Sequence, residues 1–329
     1  MNVVYSSSDS FTMVAGISIY SLLCNNKDAD ELNIFLIDNG ITKENKEMFT
    51  RMCDDFNRSI SFIPIADIEK LAGTSIDIGR WNISTFARLF YASLLPQWVE
   101  KVIHIDCDTM IMTSLKPLWD IDMGDKVVAG SLECIADSYK TEIGLKKDDI
   151  YINAGNIMLN LKRIREKNLE EDFKKFIFEH KQLSFVDQPV LNGCLTNDEK
   201  LIVELNYNAY SINFYLKYKH LKKAKRVSNF YNEQEVKNAI ENPYIVHFTS
   251  CFMDGTRPWI EGNLHPLLPQ YLEFKKNSPW GEFPLWKDDR GAIKKLASKM
   301  FRFLPQGFVA WSIGFVHAVV VPTIHKVKG

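Results

Sequence analysis

Apolar and polar positions in the first two-thirds of the chain switch between two rhythms. Residues 2–7 form a short apolar run that reads as a buried strand, residues 13–23 place Val14, Ile17 and Leu22 at helical spacing, and residues 31–38 return to a strand. Residues 42–56 are a charged amphipathic helix with Thr42 as its N-cap and Asn45, Lys46 and Glu47 on the wet face; a strand follows at 59–65. A helix is predicted over 83–95, stopped by Pro96, and a strand over 99–105. Apolar segments recur at 126–132 and 151–161, and 162–181 reads as one long charged helix with Leu169, Phe173 and Phe176 on its inner face. A short helix at 187–195 and a late strand at 244–248 complete the pattern, whereas residues 200–240, rich in Tyr, Asn and Lys, carry no readable signal. Alternation of this kind predicts a doubly wound α/β sheet with helical crossovers. One catalytic domain over residues 1–275 and a C-terminal tail over 276–329 is the economical division.

The tail differs in kind. Lys294, Lys295, Lys299 and Arg302 form a basic cluster, and the 22 residues from 303 to 324 then contain no charge and 14 apolar side chains. That length just suffices to span a bilayer, but Pro305, Gln306, His317 and Pro322 argue against a spanning helix. The expectation is a helical tail lying in or dipping into the inner leaflet of a membrane, held by apolar burial and attraction to anionic lipid; the alternative is a tail packed against the catalytic domain or in an oligomer interface.

Composition narrows the class without identifying the chemistry. With 46% hydrophobic and 25% charged residues in 329, a large core needs no disulfide or metal staple. A net charge of −1 gives no footprint for nucleic acid. Six cysteines stand singly with no C-x-x-C pair, which reads as reduced thiols, and residues 1–5 enter an apolar run with no basic segment before it. Both point to the cytoplasm.

Candidate chemistry begins at Asp106-Cys107-Asp108, directly after an apolar strand. Ligands of open α/β sheets bind beyond the carboxyl ends of strands, and alternate residues of an extended chain face one side, so two carboxylates can converge there on a divalent cation and its diphosphate. With 41 acidic residues in the chain, a D-x-D alone also reads as a solvated turn. Asn153-Ala154-Gly155-Asn156 interrupts an apolar strand with poor strand formers, as either a ligand contact or a bulge. Asp187 is either the N-cap of the helix with Pro189 in its first turn or, with Gln188, a sugar-binding pair. His247 ends a strand as a ligand or a structural histidine, Arg257 precedes Pro258-Trp259 in a loop, and Arg88 is a charge on an apolar helix, which implies a partner.

In this order the segments resemble glycosyltransferase family 8, over roughly residues 2–262: the strand leading to Tyr5-Ser6-Ser7-Ser8-Asp9, Arg88, Ile105-Asp106-Cys107-Asp108, Asn153-Ala154-Gly155, Asp187-Gln188, and His247-Phe248 with Arg257-Pro258-Trp259. The resemblance implies a type A nucleotide-diphospho-sugar fold with a Rossmann-like mixed sheet, and retaining transfer of galactose or glucose from a UDP-hexose in the synthesis of bacterial lipopolysaccharide or other surface polysaccharide. It implies Mn²⁺ or Mg²⁺ on Asp106, Asp108 and His247. Donor contacts would come from Ser7, Asp9, Arg88, Asp106, Cys107, Asp108, Asn153, Ala154, Gly155, Asp187, Gln188, His247 and Arg257, with Gln188, Asp187 and Arg88 nearest the reacting carbon. The acceptor would be a glycan or a lipid-linked glycan. Three positions depart from the family pattern: Ser8 replaces the first of two adjacent acids, Thr249-Ser250 stand where Gly is usual, and Arg257 stands where Lys is usual. These departures motivate the alternative of a non-catalytic UDP-sugar-binding partner of another transferase. A nucleotidyltransferase is disfavoured, because Ser6-Ser7-Ser8-Asp9 replaces the Gly-rich basic loop that holds a nucleoside triphosphate.

Overall fold

The structure is a computed structural model that describes residues 1–65, 70–71, 83–180, 187–251 and 256–316. Ten strands are described: β1 (Asn2–Ser8), β2 (Asn33–Asn39), β3 (Ser59–Pro64), β4 (Lys101–Ile105), β5 (Thr109–Ile111), β6 (Val128–Leu132), β7 (Ile152–Asn160), β8 (Lys200–Ile202), β9 (Ala209–Tyr210) and β10 (Ile245–His247). Seven of them form one sheet in the order β3-β2-β1-β4-β7-β6-β8, and β5-β10-β9 form a second, smaller one.

The parallel pairings β3-β2-β1-β4 reproduce the alternation read from the sequence. Beyond β4 the parallel pattern read from the periodicity needs correcting, while the mixed sheet implied by the resemblance is what the structure has: β7 runs antiparallel to both β4 and β6. Its reversal has a consequence for the site. Because Ile105 pairs with Asn156, the beginning of β7 lies beside the carboxyl end of β4. The poor strand formers 153–155 therefore sit where β4 delivers Asp106. The order also reverses between β1 and β4, which makes their carboxyl ends the topological switch point of the sheet.

Three predicted helices change in detail. The single helix expected over 162–181 is two, Leu161–Glu166 and Leu169–Glu179, divided at Asn168, whose φ of 53° is left-handed. Asn tolerates that conformation, and both pieces keep polar outer faces, which made the charge pattern look continuous; its last residue, 181, lies outside the described residues. Residues 83–95 form a 3-10 turn, Ile83–Phe90, running into a short α-helix, Tyr91–Leu94. The tight winding sets Thr85 and Arg88 on one edge, where Arg88 Nε donates to the Thr85 carbonyl at 3.2 Å. Thr42 caps helix Lys43–Asp55 by accepting from Asn45 N, but Asp187 makes no side-chain cap bond to helix Gln188–Cys194. Its carboxylate faces Arg88 instead.

Helix Thr12–Asn25 is buried on nearly every side, as a helix apolar all round must be. Beneath it lies fully buried Trp280, against Phe49 with ring centroids 4.9 Å apart. A Cβ on Gly16 would overlap the Trp280 ring, so the close approach requires glycine there.

Further on, helix Gln306–Phe315 buries Val309, Ala310 and Ile313 against Leu221 and Ala224 of helix Tyr218–Lys225. A Cβ on Gly314 would lie 2.8 Å from the Lys223 carbonyl oxygen. This part of the tail is docked on the body along one face. The opposite face exposes Phe308, Trp311 and Phe315, and helix Ala292–Phe303 exposes Ile293, Leu296, Met300 and Phe303. No helix among the described residues is long and apolar enough to cross a membrane, and the rest of the predicted apolar run, 317–324, lies outside them.

Trp280 makes a testable anchor for the chain's last third. Replacing Trp280 with Ala should destabilise the protein by about 3–5 kcal/mol in urea unfolding; a loss under about 1 kcal/mol would mean that this segment is not part of the folding core.

Candidate active site

The end of β4 and the end of β10 build the centre of the site. Asp106 N donates to the Gly155 carbonyl at 2.7 Å, and Phe248 N donates to the Asp108 carbonyl at 2.9 Å, so the D-x-D turn is clamped between β7 and β10. This brings His247 Nε2 within 3.2 Å of Asp108 Oδ1 and 3.7 Å of Asp106 Oδ2. One ligand atom from each of Asp106, Asp108 and His247 lies within 4.8 Å of the others. Two hard carboxylate oxygens and an imidazole nitrogen suit a divalent cation such as Mn²⁺ or Mg²⁺. Gly155 leaves room for them: a Cβ there would stand 2.5 Å from His247 Cε1 and 2.6 Å from Asp106 Oδ2.

Converging carboxylates repel, and the surrounding groups offset that repulsion. Against the burial that favours a neutral acid, Arg88 and then His104 hold Asp106 below the usual carboxylate range. Likewise, against burial, His247 and Arg257 hold Asp108 well below it. His247 is raised in turn, since Asp108 and Asp106 outweigh its own burial. Arg257 Nη1 lies 2.5 Å from Asp108 Oδ2 and also bonds the Phe248 carbonyl, Nη2 donates to Ser250 Oγ at 2.9 Å, and the guanidinium stands over the Trp259 ring at 5.4 Å.

Arg88 is the second hub. It is buried, donates from Nη2 to Asp106 Oδ1 at 2.9 Å and from Nη1 to the Ala154 carbonyl, and holds Asp187 Oδ2 2.9 Å from Nε. Burial pushes the Asp187 carboxyl up to about 6 against the pull of Arg88. The Ala154 peptide is gripped from its other side too, because its N–H donates to Gln188 Oε1 at 3.0 Å. Arg88, Asp106, Ala154, Asp187 and Gln188 are therefore one bonded unit.

The remaining predicted positions are more loosely placed. Cys107 is buried and its thiol donates to the Ser6 carbonyl at 3.2 Å, with burial first and the flanking aspartates next raising its pKa. Ser7 is buried at the end of β1 and donates to the Ser8 carbonyl. Asp9 accepts three bonds on Oδ1, from Thr42 N, Thr42 Oγ1 and Asn45 Nδ2, each at 2.8 Å, and so anchors the start of helix Lys43–Asp55.

Four supporting residues escaped the sequence reading. His104 donates from Nε2 to Asp106 Oδ1 at 3.1 Å and accepts from the Tyr91 hydroxyl on Nδ1 at 2.8 Å; burial and then Arg88 push it down to about 4, so it is neutral. The strand alternation that pairs Asp106 with Asp108 also puts His104 on their side, which was the available signal. Glu133 accepts from Asn153 Nδ2, and Asn208 lies between Asn153 and His247.

Set beside known proteins, residues 2–262 match the sequence profile of the family described as "Glycosyl transferase family 8". General stress protein A of Bacillus subtilis is 24% identical over 284 residues, covering 85% of this chain and 94% of that protein. The lipopolysaccharide 1,3-galactosyltransferase of Salmonella typhimurium is 22% identical over 297 residues, covering 86% and 80%. Among solved structures, galactosyltransferase LgtC, in complex with donor and acceptor sugar analogs, superposes with a TM-score of 0.70 at 21% identity, covering 85% of this chain and 96% of that one. The fold is thus the mixed α/β GT-A type, with a largely parallel sheet.

Gly155 offers a direct test of the assembled site. In Gly155→Ala the added methyl displaces His247 and Asp106, and divalent-metal binding followed by calorimetry should weaken about a hundredfold while the thermal transition stays near wild type. Unchanged metal binding would show that the three side chains do not act as one site.

Proposed function

The chain belongs to glycosyl transferase family 8 and is a hexosyltransferase, and from that premise we propose that it moves galactose or glucose from a UDP-hexose to a glycan or lipid-linked acceptor in bacterial surface polysaccharide or lipopolysaccharide synthesis. The observation that carries this reading is the convergence of Asp106, Asp108 and His247 at the switch point of the sheet. A Mn²⁺ or Mg²⁺ ion held by those three side chains would neutralise charge on the departing diphosphate.

The protein's own groups do the rest by positioning. Arg257, presented by its stack on Trp259 beside Asp108, suits a diphosphate oxygen. Asn153, Asp187 and Gln188 would bind hexose hydroxyls, with Asp187 and Gln188 held immobile by Arg88 and the Ala154 peptide. The ends of β1 and β4, with Ser7, Asp9, Cys107, Ala154 and Gly155, would line the nucleotide side. Transfer with retention then relies on holding donor and acceptor on one face of the sugar and on stabilising the leaving group, without a covalent intermediate.

The tail, 276–329 beyond a catalytic body of residues 1–275, is read as resting on the inner face of the cell membrane through its later helices, while its first residues, Trp280 and Trp286, pack back on the body. Support comes from its two-sided helix, docked by Val309, Ala310 and Ile313 and exposing Phe308, Trp311 and Phe315 outward. Charge supports it as well. Residues 205–232 and 291–316 together hold ten basic and no acidic residues, so with a net −1 overall the remainder of the chain carries −11. A surface that is both basic and aromatic suits an anionic bilayer.

Two measurements test these readings. UDP release should occur with one of UDP-glucose, UDP-galactose or their N-acetyl forms in Mn²⁺ or Mg²⁺, and fall by about three orders of magnitude with EDTA or in Asp106→Asn/Asp108→Asn. UDP binding without turnover, whatever the acceptor, would favour the non-catalytic partner subunit instead. For the tail, Phe308→Ser/Trp311→Ser/Phe315→Ser in the full chain leaves the docked face intact. It should weaken sedimentation with anionic vesicles by at least about tenfold; equal sedimentation by both proteins would remove the membrane role.

A further inference from the structure

We infer that Asn208 is the positioning residue that fixes the tautomer of His247 and, through the other end of the same amide, the orientation of Asn153, so that one side chain sets both a metal ligand and a sugar ligand. This rests on the donor-site reading above. Asn208 closes the 3-10 turn Leu205–Asn208 just before β9, is fully buried, and reaches β7 on one side and β10 on the other.

The assignment of every atom follows from one group that can only donate. Gly155 N–H ends on Asn153 Oδ1 at 2.8 Å, which makes that oxygen an acceptor. The Asn208 atom 2.9 Å from the same oxygen must then be its NH₂. The remaining Asn208 atom is therefore the carbonyl oxygen, and it lies 2.9 Å from Asn156 Nδ2 and 2.9 Å from His247 Nδ1. A carbonyl oxygen only accepts, so Nδ1 carries a proton and Nε2 is the nitrogen turned toward Asp106 and Asp108. With its oxygen held by Gly155 N and Asn208, Asn153 directs its NH₂ at Glu133.

This geometry separates what different replacements remove. Aspartate keeps an oxygen for His247 Nδ1–H but sets a second acceptor against Asn153 Oδ1, so it spares the imidazole and releases the sugar ligand. Leucine removes these contacts at a fully buried position, leaving the His247 and Asn153 groups without that partner.

The test uses the full chain. Mn²⁺ affinity is read from the electron paramagnetic resonance of free Mn²⁺, and the hexose contribution from calorimetric affinities for UDP-hexose against UDP. Asn208→Leu should weaken Mn²⁺ binding about 10–100-fold. Asn208→Asp should bind Mn²⁺ within a few-fold of wild type yet lose most of the preference for UDP-hexose over UDP. Equal Mn²⁺ losses in the two variants, or none in Asn208→Leu, would overturn the assignment. Should a variant fail to fold, ¹⁵N-histidine spectra of the unaltered protein at alkaline pH decide the matter: His247 must keep its proton on Nδ1, and a proton on Nε2 refutes the inference. A wild-type protein that binds neither Mn²⁺ nor UDP would instead refute the donor-site reading, while the histidine spectrum would still decide the tautomer.

Discussion

Three carboxylates brought together in a largely buried space set the terms for everything around them. Asp106, Asp108 and Asp187 would each prefer to be neutral or solvated. Two arginines and a raised histidine keep the pair at the centre ionised, and neutral His104 adds a further donor to Asp106. Removal of either arginine or of His247 leaves a charge uncompensated in a low-dielectric setting, which costs several times what a surface pair would. The cluster is tolerable because each of its members is also tied to backbone: Arg88 to Thr85 and Ala154, Arg257 to Phe248, Asp106 N to Gly155.

The mixed sheet makes that density possible. A purely parallel sheet would bring only the carboxyl ends of strands to the site, and the chain would leave each one into a helix. Antiparallel β7 instead brings the start of a strand there, and the small sheet β5-β10-β9 folds His247 back over the turn that β4 begins. Four chain segments far apart in sequence thus meet within a few ångströms, at a position where only Gly155 lets side chains from opposite sides approach.

The parallel half of the sheet was legible in the sequence because each strand there is a short apolar run with its own helix. The acidic pair was legible from its place after such a strand. What the sequence reading missed was support at a distance. Asn208 sits in a Tyr-, Asn- and Lys-rich stretch with no periodicity, and only the pairing of β9 with β10 brings it to His247. Asp187 looked like a helix cap because local rules favour that, and a long-range ion pair with Arg88 prevails over them. The apparent long helix over 162–181 is the opposite case, a continuous charge pattern across a break that one left-handed Asn makes. Sequence patterns record what each segment needs from water. They do not record which distant segment supplies a hydrogen bond.

Arg257 shows how a departure from a family pattern can be absorbed. A lysine ammonium carries its three donors on one compact nitrogen, so its acceptors must crowd around a single point. The guanidinium here reaches Asp108, the Phe248 carbonyl and Ser250 at once while lying over Trp259. Ser250 falls where a glycine would offer no side-chain acceptor, so Arg257 and Ser250 compensate one another: the broader cation has a hydroxyl to take its second nitrogen. The serine and the larger cation are then one change rather than two.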